Sequence, residues 1–501
     1  MASYDEDIDT IPRKLSFIGS SPEDQMAAGA QLIVDYHPSS SPHPIASQSI
    51  NNDENNPKIF QIRKIYKNLI VISVAFTFML TAYTSILSLQ SSLNVKNNIG
   101  VNSLFIIYAG TIFSAIFFTG SIIDILGPKW TMIIGLFAYL LYTLANFYPI
   151  PALLYTSAGL VGLGAAPLWT AEALYVNRIG RYHAQHKRQL AETSVTLFFG
   201  IFSTFQGTSA VWGNLISYFV LNQSNNPQKV NCGIYFDPKT VKPMNHSGGD
   251  DVDEATRYLL FGIFSGITVL SMVLLFLMLN HIQLAKKQSI RQSMKKSVDV
   301  LLSMIQCKHI DQIFLIPITI WTLVQSTFLT AQFTRAFITC LIGIRYIGLV
   351  LLVHGITYMI SSYIFGLLAR YIGRIGCFVS AAIFNYAMIV LMYFWEPNDQ
   401  QIIVLYIISA VWGISDAIWQ SQLIAAYTIL YSDSDPTTIA KYRLWKSVGS
   451  LLTYSYASYI TISLTLFILT IFLTVSMICY GFVEIHVRWK NRGKEQYIAI
   501  D

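Results

Sequence analysis

Twelve apolar segments, most of them 18–25 residues long, constrain the fold of this 501-residue chain more than any other feature. A helix needs about 20 such residues to cross a hydrocarbon core about 30 Å thick. The predicted spans cover residues 68–89, 102–123, 130–148, 152–176, 192–221, 257–279, 312–334, 345–367, 376–395, 401–430, 442–460 and 463–484. Because a bilayer leaves backbone polar groups unsatisfied outside helices and closed barrels, the chain is predicted to be an all-α, polytopic membrane protein with twelve transmembrane helices.

Composition supports a membrane protein and disfavours several other classes. Charged residues make up only 12% of the chain, against about 25% in an average soluble domain. The basic loops beside apolar spans are typical of lipid contact and topology signals, so no nucleic-acid partner is predicted. The sequence shows no nucleophile elbow, phosphate-binding loop or dinucleotide fingerprint, and its five cysteines lack metal-ligand spacing. We therefore predict a protein that is not an enzyme and has no cofactor or metal.

The distribution of Lys and Arg predicts the orientation and the domain boundaries. With the N-terminus in the cytosol, 24 of these residues from Lys58 onward fall on the cytosolic side and seven on the other side, so both termini are predicted to be cytosolic. The predicted segments are a disordered tail (1–57), a first six-helix half (58–279), a basic cytosolic loop (280–311), a second six-helix half (312–485) and a cytosolic tail (486–501).

The longest loop on the outer side, residues 222–256, contains both Asn-x-Ser/Thr sequons of the chain. Such a sequon is used only in the secretory lumen, so its position agrees with the predicted orientation. Asn245 is the better acceptor because Asn222 sits at a predicted helix end. Cys232 lies in the same loop and Cys340 near the outer surface, which makes a disulfide between them one hypothesis in an oxidising compartment.

The two halves of the chain repeat each other. A loop motif follows span 2 and recurs after span 8 at an offset of 246 residues. The first copy contains Gly120, Asp124, Gly127 and Lys129, and the second contains Gly366, Arg370, Gly373 and Arg374. Spans 4 and 10 also match, at an offset of 250, through Trp169-x-x-Glu172 and Trp419-x-x-Gln422. Two parallel six-helix halves are the architecture of the major facilitator superfamily, so this fold is predicted.

Two carboxylates, Glu172 and Asp416, are predicted to lie well inside the membrane. Isolated charges there are costly, so these groups should be protonated, paired or exposed to water. One hypothesis is a proton- or cation-coupled polar site, with neighbours Gln206, Gln325, His354, Gln420 and Gln422. The alternative is that both carboxyls are protonated and hold the bundle together by hydrogen bonds. No Lys or Arg is placed at a midplane, which disfavours an organic-anion transporter.

Several segments resemble the uncoordinated-93 family, a branch of the major facilitator superfamily, and most closely its animal A-type members. They are Leu87-Ser-Leu-Gln-Ser-Ser-Leu-Asn94, Leu126-Gly-Pro-Lys-Trp130, Ala145-Asn-Phe-Tyr-Pro149, Ala166-Pro-Leu-Trp169, Phe199-Gly-Ile-Phe202, Val211-Trp-Gly-Asn-Leu-Ile216, Asp416-Ala-Ile-Trp-Gln-Ser-Gln422 and Tyr442-Arg-Leu-Trp-Lys446. The resemblance implies a transporter-like fold. It also implies a regulatory role toward a two-pore potassium channel or, as in another branch, the escort of Toll-like receptors.

Two functions follow as hypotheses of different classes. The first is a regulatory or escort subunit that binds another membrane protein, with a potassium channel as the suggested partner. The second is a secondary transporter that couples protonation of Asp416 or Glu172 to solute movement. The sequence predicts residence in the plasma membrane, with the endosome or lysosome as an alternative. Tyr497 and Ile500 form a tyrosine-based sorting pattern that favours the alternative.

Overall fold

A computed structural model of the chain describes residues 60–188, 191–221, 231–239, 252–282, 310–431 and 438–498. Several predictions concern residues outside these ranges: the disordered tail, the two sequon asparagines Asn222 and Asn245, most of the basic loop between the halves, and Ile500. The statements below refer to the described residues.

Apolar runs of the lengths predicted above form long helices in the structure. The helices are α1 (Ile62–Leu93), α2 (Ile99–Phe117), α3 (Thr119–Ala145), α4 (Pro151–Lys187), α5 (Ala191–Val220), α6 (Glu254–Met278), α7 (Ile310–Phe328), α8 (Tyr346–Phe365), α9 (Tyr371–Phe394), α10 (Ile403–Tyr431), α11 (Thr438–Tyr456) and α12 (Ile462–Ile498). The helix α7 continues through a π-helical stretch, Leu329–Thr339, and one further turn, Cys340–Ile342. This all-helical arrangement confirms the predicted fold class.

Ten of the described helices are long and apolar enough to cross a membrane. The remaining two, α5 and α11, carry more polar side chains, and each packs against the opposite half of the molecule. Tyr108 of α2 stacks on Tyr454 of α11 with ring centroids 5.6 Å apart, and Gly348 of α8 lies against the backbone of α5 at Asn214. A helix that faces protein on several sides needs less apolar surface than one that faces lipid, which explains the composition of these two helices.

Small residues set the close helix crossings within each half, and the same pairs recur in both halves. A Cβ atom on Gly213 of α5 would overlap the Thr81 carbonyl of α1, and a Cβ atom on Gly449 of α11 would overlap the Ile320 carbonyl of α7. Glycine permits this approach because the packing of helices in lipid depends on close backbone contact. The fifth helix of each half is therefore seated on the first helix by a glycine.

The repeated loop motif adopts the same backbone conformation in both halves. Gly127 has φ 74° and ψ 164°, and Gly373, at the predicted offset, has φ 69° and ψ 173°. This region of φ/ψ space is essentially reserved for glycine. In each half the helical backbone is interrupted at this residue, Gly127 inside α3 and Gly373 inside α9, so these two glycines are required by backbone geometry.

The basic residues of the motif tie the third helix of each half to the sixth. Lys129 donates from Nζ to the carbonyls of Phe276 (2.9 Å) and Leu279 (2.6 Å), at the end of α6. Cations are favourable at this end of a helix because its last carbonyls lack partners. In the second half Arg374 contacts Glu484 of α12 at 2.8 Å. Both halves therefore join the third helix to the sixth at this position. The first half uses hydrogen bonds to backbone carbonyls, and the second half uses an ion pair.

Candidate functional site

Asp416 of α10 is the centre of a buried polar cluster inside the second half. Its side chain is almost fully buried, with the residue 4% exposed. Gln325 of α7 donates from Nε2 to Asp416 Oδ1 at 2.6 Å, and Gln420 donates to the same oxygen at 3.3 Å. On the other side, His354 Nε2 of α8 lies 3.8 Å from Asp416 Oδ2. Three helices therefore converge on one carboxyl group.

Lys446 of α11 adds a cation to this cluster. Its Nζ donates a hydrogen bond to Gln420 Oε1, and the Nε2 of the same Gln420 donates to Asp416. Lys446 lies eight residues after Thr438, so it is about 12 Å along the helix axis from the first residue of α11. We refer to Gln325, His354, Asp416, Gln420 and Lys446 as the Asp416 cluster.

Lys446 was not predicted as a site residue, and the placement of Lys and Arg away from the membrane midplane stays a prediction. The predicted span 442–460 begins four residues before Lys446, so this lysine was counted with the cytosolic Lys and Arg residues. In the structure α11 begins earlier, at Thr438, and the ammonium group lies 5.7 Å from the ring centroid of Tyr442. A long lysine stem can cover apolar surface while its head meets polar partners, so composition alone does not place the charge.

Buried tryptophans hold α10 in the orientation that presents Asp416. Trp412 donates from Nε1 to the backbone carbonyl of Gln325 at 3.2 Å, and Trp419 donates to Asn385 Oδ1 at 2.7 Å. Asn385 in turn donates to Ser415 Oγ at 3.0 Å. Both indoles are fully buried, so they combine apolar packing with satisfied N–H groups. Trp412 lies four residues before Asp416 and Trp419 three residues after it, and their contacts fix the face of the helix on which Asp416 lies.

The remaining predicted site residues do not join the cluster. Glu172 of α4 is buried in the first half, and its Oε1 has no hydrogen-bond partner among the described residues. Gln206 is half-buried on α5, also in the first half. Gln422 is buried on α10 but lies six positions after Asp416, which places it on another face of the helix. The structure thus brings Asp416 and Gln420 together and leaves Glu172, Gln206 and Gln422 apart from them.

A second polar network lies at the end of the first half where α1 ends and α6 begins, and it was missed by the analysis of the sequence. Gln90 donates to Asn146 Oδ1 at 2.8 Å and to the Tyr142 hydroxyl at 2.9 Å, while Asn94 donates to Gln90 Oε1 at 2.6 Å. Arg257 of α6 donates to Asn94 Oδ1 at 3.0 Å. The sequence did contain a signal for this network, because Gln90, Asn94 and Asn146 belong to two of the segments that carry the family resemblance. We name the end of the bundle that contains this network the outer end.

Two further predicted features lie at opposite ends of the molecule. Cys232 and Cys340 are joined by a disulfide at the outer end, with their Cα atoms 5.6 Å apart. At the other end, Tyr497 lies within α12, which continues to Ile498. A tyrosine-based sorting signal is read in extended form, so recognition at Tyr497 would require the end of this helix to unwind.

Comparison with known proteins identifies the relatives of this architecture. The family described as "Ion channel regulatory protein UNC-93" matches residues 91–481, which is more than half of the chain. The chain is 35% identical to the unc-93 homolog A of Xenopus laevis, over 85% of its own length and 95% of the relative. It is 31% identical to the Homo sapiens homolog A, over 83% and 93% of the two chains.

A more distant relative comes from Caenorhabditis elegans and is named, provisionally, as the potassium channel regulatory protein unc-93. This relative is 28% identical, and the match covers 84% of the present chain and 61% of the worm protein. Its name supplies a functional comparison, which is considered below.

Solved structures of transporters share the fold. A tetrameric PepTSo2 structure gives a TM-score of 0.58 with 10% identity, over 85% of this chain and 99% of that one. The xylose transporter XylE from E. coli gives 0.55 with 11% identity, over 83% and 98%. At such identities the likeness concerns the fold alone, and it supports the predicted architecture of the major facilitator superfamily. The family match and the homolog A relatives establish that this multi-pass membrane protein belongs to the UNC-93 family.

Proposed function

We propose that the protein is a non-enzymatic regulatory subunit that binds another integral membrane protein, with a potassium channel as the first partner to test. The observation that carries this proposal is the match to the UNC-93 family, whose description is an ion channel regulatory protein and whose worm relative is named for potassium channel regulation. The match runs from residue 91, at the end of α1, to residue 481 in α12, so it includes helices of both halves.

The geometry of the Asp416 cluster is consistent with a structural role in such a subunit. Asp416 Oδ1 receives two hydrogen bonds from within the protein, and Gln420 both donates to Asp416 and accepts from Lys446. A buried charge is stable when it is paired and hydrogen-bonded. These partners all belong to the chain, so the network serves to lock α7, α10 and α11 together without any solute.

Co-expression with two-pore potassium channels tests this proposal. Whole-cell potassium current should change when the protein and a channel are expressed together, and the two should co-purify in mild detergent. Asp416→Asn should preserve this regulation wherever the variant still folds. An unchanged current with each channel of the class, together with no co-purification, would contradict the proposal for this partner.

A second function, proton- or cation-coupled transport, is favoured by one specific observation. His354 Nε2 is buried, has no hydrogen-bond partner among the described residues, and lies 3.8 Å from Asp416 Oδ2. An imidazole and a carboxyl group at this separation can exchange a proton through a small rearrangement, and ionisable groups inside membranes often form such relays. The cluster therefore contains the chemistry that proton coupling needs.

Transport is tested on the protein alone. A pH jump applied to proteoliposomes or to cells should drive a current or solute uptake that Asp416→Asn and His354→Gln abolish, while size-exclusion profiles remain normal. Gln206→Ala, a half-buried residue away from the cluster, serves as the matched control. If the wild-type protein gives no pH-driven flux under these conditions, the transport hypothesis fails and regulation remains the better account.

We also propose that the protein resides in the plasma membrane with both termini in the cytosol. The support is the distribution of Lys and Arg and the sequons of the 222–256 loop. Epitope tags at the two ends should be stained only after cells are permeabilised. Staining that coincides with endosomal or lysosomal markers would instead favour the endolysosomal alternative.

A further inference from the structure

A short segment of the outer loop, residues 231–239, is seated on the opposite half of the molecule. The chain reaches this segment from α5 of the first half, yet its contacts are with the second half. Phe236 is buried, and its carbonyl accepts a hydrogen bond from the backbone N–H of Ile462 at 3.2 Å, at the start of α12. Gly233, with φ 73°, lies so close to Pro397 that a Cβ atom would overlap it. We call residues 231–239 the strap.

One covalent bond attaches the strap to the end of the seventh span. Cys232 is disulfide-bonded to Cys340, directly after the π-helical stretch of α7. Cys340 is 5% exposed, whereas Cys232 is half-buried. Cys232 is thus the sulfur that a reagent from the outer side meets first.

The strap covers the seam between the two halves. Arg335 of α7 places its guanidinium 5.6 Å from the ring centroid of Phe236, and the same side chain donates from Nη1 to Asn98 Oδ1 at 3.0 Å. Asn98 immediately precedes α2 of the first half. Arg335 therefore connects the strap, the second half and the first half in one chain of contacts.

Other side-chain contacts also join the two halves at this end. Arg345, directly before α8, donates to the Tyr218 hydroxyl of α5 at 3.1 Å, and two pairs of hydroxyl groups meet. Ser92 of α1 lies 2.9 Å from Thr339, and Ser91 lies 3.4 Å from Thr334, in both cases through hydroxyl oxygens. An uncharged hydrogen bond contributes only about 1 kcal/mol. A small cavity of about 10 Å³, roughly the space of one water, remains beneath the strap between Val101 of α2 and Gln332 of α7. The covalent attachment of the strap is therefore the strongest single restraint at this end.

We propose that the Cys232–Cys340 disulfide is a redox-controlled latch that holds the outer end of the bundle closed. While the bond is intact, the strap keeps Phe236 over Arg335, and Arg335 keeps its contact with Asn98. When the bond is reduced, the strap leaves the seam and the two halves separate at this end. This proposal rests on the proposed orientation, in which this end of the bundle faces an oxidising compartment. It acts on the fold and does not depend on whether the protein regulates a channel or transports a solute.

The reduction is an ordinary thiol–disulfide exchange with a dithiol reductant. One thiolate of the reductant attacks the Cys232 sulfur, a mixed disulfide forms, and Cys340 leaves as a thiolate. The second thiolate of the reductant then attacks the reductant's other sulfur atom, which is bonded to Cys232 in the mixed disulfide. Cys232 is released as a thiolate. Two electrons and two protons pass to the protein, which gains two thiols, and the reductant becomes a disulfide.

Hydrogen–deuterium exchange of the full-length protein in detergent tests the latch. Peptide mapping without reductant first establishes the Cys232–Cys340 linkage. Dithiothreitol should then raise amide exchange about tenfold or more in the strap and in residues 94–103 of the first half, because local opening governs exchange. Exchange in peptides around Asp416 should not change.

The double variant Cys232→Ser/Cys340→Ser should resemble the reduced wild type and should not respond to dithiothreitol. The single variant Cys479→Ser, which removes a free thiol of α12, is the matched control and should respond as wild type does.

Three results would overturn the proposal. The linked peptide could be absent from the non-reduced map. Reduction could loosen the strap alone and leave residues 94–103 protected, which would make the bond a local staple. Reduction could also deprotect every helix at once, which would make it a stabiliser of the whole fold. If the double variant fails to fold, the comparison of oxidised with reduced wild type decides between these outcomes by itself.

Discussion

Gln325 Nε2 of α7 donates a 2.6 Å hydrogen bond to Asp416 Oδ1 of α10, inside the second half of the bundle. The two residues are 91 positions apart in sequence, and both are buried. This contact joins α7 and α10 through a buried side-chain hydrogen bond. The energetic role of Asp416 can therefore be measured without knowing what the protein binds.

Removing the Asp416 carboxyl should destabilise the protein strongly. Asp416→Ala leaves the buried Gln325 amide without its acceptor, a loss of about 1–3 kcal/mol for an unsatisfied buried group. Asp416→Asn, which keeps the shape and one acceptor oxygen, should cost less. Thermal unfolding in detergent measures both variants, with Gln206→Ala as a control. Equal melting temperatures for Asp416→Ala and the control would show that the hydrogen bond between Gln325 and Asp416 does not contribute to stability.

The electrostatic link between Asp416 and Lys446 should appear as coupling in a double-mutant cycle. Gln420 connects the two side chains, because it donates to Asp416 and accepts from Lys446. We expect Asp416→Asn combined with Lys446→Met to cost less than the sum of the single changes, by about 1–3 kcal/mol. Free energies of unfolding for the four proteins give this term directly. Strict additivity would mean that the two charges act independently.

The two motif glycines should be equally intolerant of a side chain. Gly127→Ala and Gly373→Ala each force a Cβ atom into a conformation essentially reserved for glycine, at a cost of about 1–3 kcal/mol. No atom lies within 4 Å of the Cβ position at Gly373, so backbone strain alone acts there.

Gly262→Ala is the matched control for this pair. Gly262 lies in α6 with open space around its Cβ position, so this change should stabilise the helix by about 0.5–1 kcal/mol. Calorimetric or fluorescence melting compares the three variants. A melting temperature for Gly373→Ala at or above that of Gly262→Ala would contradict the strained geometry.

The glycines at helix crossings should be intolerant of a side chain for a different reason, because the neighbouring helix leaves no space for a Cβ atom. Gly213→Ala drives a methyl group into the α1 backbone, and Gly449→Ala drives one into the α7 backbone. Overpacking of this kind costs about 1–3 kcal/mol. Gly207→Ala, on the same helix as Gly213 but with nothing within 4 Å, should be neutral or stabilising. Yield of folded protein and melting temperature after purification distinguish these variants, and equal loss from Gly207→Ala would exclude the packing explanation.

Glycosylation should report the orientation of the chain. If the 222–256 loop faces the secretory lumen, Asn245→Gln should increase electrophoretic mobility and abolish the effect of a glycosidase, while Asn222→Gln should have little effect. Both sequons lie in the loop that leads into and out of the strap. An unglycosylated wild-type protein from a eukaryotic host would remove this support for the proposed topology.

The fold could be predicted largely from local information, whereas the site could not. Segments of about 20 apolar residues must become helices in lipid, and the repeated glycine motif marks equivalent turns in two halves. The ends of the helices were harder to predict from the sequence, because a helix continues past its apolar run when neighbouring elements satisfy the polar residues. Lys446 illustrates this, since α11 begins at Thr438. Gln325 and His354 were predicted as neighbours of Asp416, but their contacts with it depend on which helices meet.

The sequence by itself determined the all-α membrane fold, the two-half repeat and the family, because these depend on hydrophobicity, spacing and motif identity along the chain. Only the tertiary structure decided which polar residues meet. It left Glu172 outside the polar contacts of Asp416, brought Lys446 to Gln420, and seated the strap across the seam. The physical reason is that a polar group in a bilayer must find a partner within the protein, and helix packing sets which partner is within reach.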